Sequence, residues 1–213
     1  MTLQELMQRA GMWRGGELPP LATHPTGFAG LDAILPGGGW PQAGLVEILT
    51  ASSGIGALRL VLPMLAAASR AGDWIVWVDP PHIPYAPALD AGGVALSRVL
   101  LVDLPTRSTA SGEDDEILWA CEQALRFADC AVALMWLGAT TPALPMRRLQ
   151  LAAEAGATTG IVFRPATCAA QSSPALLRLA LETPAGEEGS TPLALEVKVI
   201  KARGTHHGAR CRL

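Results

Sequence analysis

The chain alternates short, predominantly apolar runs with longer stretches in which apolar residues recur every three or four positions. Runs at 45–49, 74–79, 99–103, 131–137 and 159–164 have strand length and are mostly apolar on successive positions, the pattern of strands covered on both faces. Between them, 30–35, 57–70, 113–127 and 146–155 read as helices, and Pro63 is expected to bend the second. The run Glu113-Asp114-Asp115-Glu116 opens the third helix, where carboxylates favour the positive end of the dipole. Two further runs, 176–182 and 193–201, flank a polar Gly/Glu loop and predict an antiparallel pair. At the N-terminus Leu3, Leu6, Met7 and Ala10 fall on one helical face, and Thr2 and Glu5 stand at capping-box spacing. Residues 11–20, rich in Gly and Pro, read as a linker.

Strands alternating with helices imply an α/β domain with a largely parallel sheet flanked by helices. The predicted organisation is an N-terminal helix and linker arm over 1–23, a core over 24–203 and a flexible basic tail over 204–213. So short a helix is marginal alone, so its apolar face must pack on its own core or on another protein.

Of the 213 residues, 50% are apolar and 16% charged, and the formal net charge is −3. That balance gives no reason to expect nucleic-acid binding by the whole molecule. The 16 basic residues include only two lysines, Lys198 and Lys201, which removes any phosphate-loop lysine from the first nine-tenths of the chain. Cys121, Cys130, Cys168 and Cys211 form no zinc spacing and read as reduced structural thiols. No signal peptide or membrane span is read, so a cytoplasmic bacterial protein is expected, with no metal and no cofactor.

The 45–49 strand, the small-residue loop after it and the next helix form the setting of a phosphate-binding loop. That loop needs an opening Gly and then Gly-Lys-Ser/Thr, whose N–H groups, ammonium and hydroxyl hold phosphates and magnesium. Here Leu49 occupies the first Gly position, Gly54 fits the second, Ile55 replaces the lysine and Gly56 the hydroxyl residue. The loop is degenerate.

Thr26-Gly27-Phe28-Ala29-Gly30-Leu31-Asp32, Gly44-Leu45-Val46-Glu47-Ile48, Ser52-Ser53-Gly54 and Glu196-Val197-Lys198-Val199-Ile200-Lys201-Ala202-Arg203 together resemble a RecA-like core over 24–203. With the Lys201-Ala202-Arg203-Gly204 ending, the chain most resembles the ImuA family, RecA-like proteins of SOS-induced mutagenic translesion synthesis. The resemblance implies further losses. The general-base Glu falls at Pro81, the magnesium-holding Asp at Trp136 and the γ-phosphate-sensing Gln at Arg164, so a pseudo-ATPase that is not an enzyme is expected.

The resemblance implies RecA as partner, together with an ImuB-type inactive Y-family polymerase subunit and, indirectly, an error-prone C-family DNA polymerase. Candidate partner-binding residues are Leu3, Leu6, Met7, Met12 and Trp13 of the arm, and Lys201 and Arg203, which match basic positions that reach a neighbouring protomer. Self-association, or an edge strand on which Lys201 and Arg203 are ordinary charges, stays open beside this. Arg147, Arg148 and Arg164 are the candidate DNA contacts, although the two loops involved, 138–145 and 165–173, suggest weak or indirect binding. Trp40, Trp74, Trp77, Trp119 and Trp136 are expected in the core. The alternative function is a SulA-type cell-division inhibitor binding FtsZ, disfavoured by the arm and the basic ending.

Overall fold

The structure, a computed structural model, describes residues 21–51, 56–104, 113–182, 195–202 and 208–213. Its centre is an eight-stranded sheet. Five apolar runs become β3 (Gly44–Thr50), β4 (Trp74–Val78), β5 (Val99–Val102), β6 (Cys130–Trp136) and β7 (Thr159–Pro165). With β8 (Leu177–Glu182), β9 (Glu196–Ala202) and β10 (Arg210–Arg212) they lie in the order β10-β9-β8-β3-β7-β6-β4-β5. The six strands from β8 to β5 are mutually parallel. The C-terminal pair predicted from the sequence is antiparallel, β8 against β9.

Parallel neighbours need crossovers, and helices supply them. Between β3 and β4 runs α2 (Ala57–Ala71), between β5 and β6 runs α4 (Glu113–Arg126), and between β6 and β7 runs α5 (Ala143–Gly156). Two short helices, α1 (Ala29–Asp32) and α3 (Ala86–Ala91), complete the described set. Alternation along each strand divides the core into two layers. Val46, Ile48, Ile75, Trp77, Leu134, Ile161 and Phe163 face Leu60, Val61, Met64 and Leu65 of α2. On the opposite face Leu45, Val76, Val78, Ala133, Met135 and Val162 meet Cys121 and Leu125 of α4 and Met146 and Leu149 of α5. No helix among the described residues is long and apolar enough to cross a membrane.

Five expectations change. Helix α5 starts three residues before Met146, because Pro142 and Pro145 lie at a helix start, where a missing N–H costs nothing. Residues 23–24, assigned to the arm and the first core position, form β1 (Thr23–His24), which pairs with β2 (Trp40–Pro41) in a separate two-stranded sheet. The tail is not wholly flexible: Arg210, Cys211 and Arg212 pair with Lys198, Val197 and Glu196, and Arg210 bridges Glu182 and Glu196 at 2.9 and 2.5 Å. The strand that carries Lys201, β9, is flanked by β8 along its length and by β10 over Glu196–Lys198, so it is not the outermost strand of the sheet. Finally, Trp119 is not core but 64% exposed on α4, whereas Trp40 and Trp77 are enclosed. The arm's Leu3, Leu6, Met7, Met12 and Trp13 lie outside the described residues.

Candidate functional site

In an open parallel sheet, ligands sit beyond the carboxyl ends of the strands, where the strand order reverses. That switch falls at β3, which lies between β8 and β7: the chain leaves it for β4, two strands beyond β7, and returns through β6 and β7 to reach β8 on its other side. The site is thus built from the ends of β3, β4, β6 and β7 and the loops they feed.

Leu49 is buried within β3 and paired with Arg164 and Ala180, so the first loop position belongs to the sheet. Gly54 and Ile55 lie outside the described residues. Gly56 caps α2 with φ +90°, a left-handed conformation that a Ser or Thr adopts only with strain. The substitution of the hydroxyl residue and the local backbone are therefore mutually consistent.

At the end of β4, Asp79 also has positive φ, +45°, and its N–H donates to the Val102 carbonyl at 2.9 Å. Asp tolerates this region better than most residues. The turn leads into Pro80 and Pro81, and Pro81 carries no proton acceptor on its side chain.

Trp136 ends β6 on the α2 side. It is the direct cross-strand neighbour of Phe163, with ring centroids 4.9 Å apart and planes 22° apart, and it tilts against Trp77 at 5.6 Å. Such aromatic pairs contribute about 0.5–1.5 kcal/mol each beyond their buried area. The position that the RecA pattern gives to a carboxylate is filled by an aromatic row continuous with the core.

Arg164, proposed as a DNA contact, is only 3% exposed. Its Nη1 lies 3.8 Å from Glu47, and Nη2 donates to the carbonyls of Gly138 and Thr141 and to Gln171 Oε1. Its Nε is buried without a hydrogen-bond partner, so the guanidinium expected to contact DNA is held inside the protein rather than on its surface. Arg147 and Arg148 are exposed on α5. Arg148 binds Glu122 of α4 at 2.6 Å, which Arg126 also binds at 2.9 Å.

Glu47 is the centre of this network. It is fully buried on the α5 side of β3, and Arg178, its parallel neighbour on β8, donates from Nε to Oε2 at 2.8 Å. The Ser173 hydroxyl donates to Oε1. The remaining Arg178 donors reach the carbonyls of Cys168, Ala169 and Gln171. Lys201, beside Arg178 on β9, donates to the Ser173 carbonyl at 2.7 Å. Its pKa is lowered, first by burial and then by the Arg178 charge. Arg203 lies outside the described residues.

Both loops that the RecA pattern assigns to DNA are thereby tied to one strand carboxylate. Sequence reading missed Arg178 and the role of Glu47. The signal was available: one charge stands inside each apolar strand, in Leu45-Val46-Glu47-Ile48 and Leu177-Arg178-Leu179, and a buried charge requires a partner.

Two of the thiols are held protonated. Burial pushes Cys121 and Cys130 up to about 12, with help from the Asp79 charge at Cys121 and from Asp73 at Cys130, so thiolate is scarce. Among the described residues no His, Cys, Asp or Glu cluster is suited to a metal.

Comparison with known proteins places the chain among relatives of SOS proteins. The chain is 32% identical over 126 residues to the cell division inhibitor SulA of Edwardsiella piscicida, covering 59% of this chain and 70% of that protein. The chain belongs to the SulA family. It is also 31% identical over 132 residues to RecA of Gluconobacter oxydans and 35% identical over 83 residues to RecA of Thermus aquaticus. These matches cover 61% and 38% of this chain but only 34% and 24% of the two RecA proteins, so the relation to RecA concerns a part of its length. A family model described as the MT3502 N-terminal domain matches residues 33–112. The ImuA resemblance rests on the sequence features alone.

Proposed function

We propose that this chain is a non-catalytic protein of the bacterial SOS response that works by protein–protein contact through a RecA-like shell. Its partner in this reading is RecA, together with an ImuB-type subunit and the error-prone polymerase of mutagenic translesion synthesis. The observation that carries the non-catalytic part is the Trp77–Trp136–Phe163 row, which occupies with apolar rings the place where phosphoryl transfer needs a metal-holding carboxylate. The left-handed Gly56 and the Pro80-Pro81 turn support the same reading. Without a nucleotide switch, the remaining use of such a shell is docking. A heterologous contact that does not propagate ends or modulates a filament.

Two measurements test this. Magnesium-ATP should leave the melting temperature unchanged. A ligand at a hundredfold excess over its Kd would add roughly 2.7 kcal/mol, and such a shift overturns the pseudo-ATPase reading. Co-purification with RecA should succeed for the full chain and fail for a chain beginning at Leu21. Binding that survives this truncation moves the interface off the arm.

A second reading is a SulA-type division inhibitor that binds FtsZ, and the observation favouring it is the match covering 70% of a SulA protein. Capture of FtsZ in place of RecA in the same experiment selects this reading.

A further inference from the structure

The two edges of the sheet differ. β10 carries Arg210 and Arg212, the kind of charged edge that discourages strand addition. β5 is Val-Leu-Leu-Val, with no charge, proline or bulge within it. Its consecutive residues Leu100 and Leu101 point to opposite faces and are 44% and 39% exposed, while Val99 and Val102 at its two ends pack one on each face of the core. The side chains are exposed and one row of backbone groups is open. The Val102 carbonyl accepts from Asp79 toward β4, so by strand alternation the Leu101 N–H and carbonyl point to the open side.

We propose that β5 pairs with β5 of a second copy of this chain, antiparallel about a two-fold axis through Leu101. The occupant follows from charge and geometry. Arg98 precedes the strand and Asp103 follows it, with Asp79 beside that end on the neighbouring turn. Antiparallel self-pairing lays the basic end of one strand on the acidic end of the other, whereas parallel pairing sets like ends together. A two-fold axis perpendicular to a sheet requires one residue to face its own copy. Leu101, whose backbone donor and acceptor both point outward, makes that pair hydrogen-bonded. Leu100 then faces Val102 of the second copy across the other surface. The contact is isologous and closes at two copies. It uses neither the arm nor Lys201 and goes beyond the docking role above.

Sedimentation of the full chain should give a species of about twice the 22.2 kDa of one copy. Leu101→Lys should weaken its association at least ~10-fold, about 1.4 kcal/mol. A wild type that stays monomeric throughout a concentration series, or a dimer unaffected by L101K, overturns the proposal. Register is tested by mild oxidation in a Cys211→Ser background. Leu101→Cys should form a covalent dimer, because facing residues in a hydrogen-bonded pair lie about 5.5 Å apart between Cα atoms, within disulfide reach. Leu100→Cys, which faces Val102, should not. Equal cross-linking of the two variants, or none by L101C, also overturns it.

Discussion

Replacing Glu47 with Gln tests the energetic centre of the molecule. The change keeps shape and volume and removes, among the described residues, the carboxylate that pairs with the buried side chains of Arg164 and Arg178. Breaking a buried ion pair by deleting one partner costs about 3–5 kcal/mol, because the surviving charge stays desolvated. Arg178 keeps its three carbonyl acceptors and Arg164 keeps Gly138, Thr141 and Gln171, which places the expected loss near the lower figure, about 3 kcal/mol. The amide oxygen of E47Q still accepts from Arg178, but less strongly than a carboxylate does. Urea unfolding followed by far-ultraviolet circular dichroism reads the loss directly. With a slope of about 2 kcal/mol/M, the midpoint falls by roughly 1.5 M. A second variant separates charge from packing: Glu47→Leu with Arg178→Met removes the closer ion pair, leaves Arg164 its carbonyl and Gln171 acceptors, and should cost less than the two single changes together. E47Q unfolding within about 0.5 kcal/mol of the wild type, or strict additivity in the pair, would refute the assignment of Glu47 as the keystone of the two loops.

Three further outcomes are expected. Gly156→Ala should destabilise by about 1–2 kcal/mol in the same assay: helix propensity favours Ala by about 1 kcal/mol, but its Cβ would press on the Leu125 backbone carbonyl, and forced overpacking costs about 1–3 kcal/mol or more; a stabilised variant contradicts the packing of α5 on α4. Trp136→Ala should cost about 3 kcal/mol and reduce the near-ultraviolet dichroism of the row, and an unchanged spectrum would mean that the rings do not stack. Thiol titration of the native protein should find Cys211 reacting first and the buried Cys121, Cys130 and Cys168 only on unfolding. Because Cys121 and Cys130 titrate near 12 when folded against 9.0 for the free group, the unfolded chain releases protons first, and their stabilising contribution, complete below pH 9, is lost as pH rises toward 12. A Cys121→Ala variant should show a shallower decline over that interval, and an identical decline refutes the linkage.

The main strands were legible because each is an apolar run too short to be a helix and too continuous to be a loop. The pairing of β8 with β9 followed from the polar loop between them. β10 was not legible: Arg-Cys-Arg reads as part of a basic stretch, and its pairing is revealed only by the carboxylates of Glu182 and Glu196 that receive Arg210. At the site, the changes at Leu49, Pro81 and Trp136 were visible position by position, but the stacking of Trp136 on Phe163 joins strands separated in sequence by a whole helix. Arg164 shows the limit most clearly. As a residue type at a loop base it suggested a phosphate contact, and its use depends on Glu47, which lies on a strand more than a hundred residues earlier. Charge type was readable, but the identity of its partner was a property of strand order.

The unequal edges of the sheet also set a ceiling on its growth. A strand entering beside β10 would have to draw Arg210 away from both its carboxylates and lie alongside Arg212, so the far side of each sheet acts as a terminator. An assembly joined at β5 therefore exhausts its permissive edges after a single addition, and the same chain is barred from the open-ended stacking that an apolar edge otherwise invites.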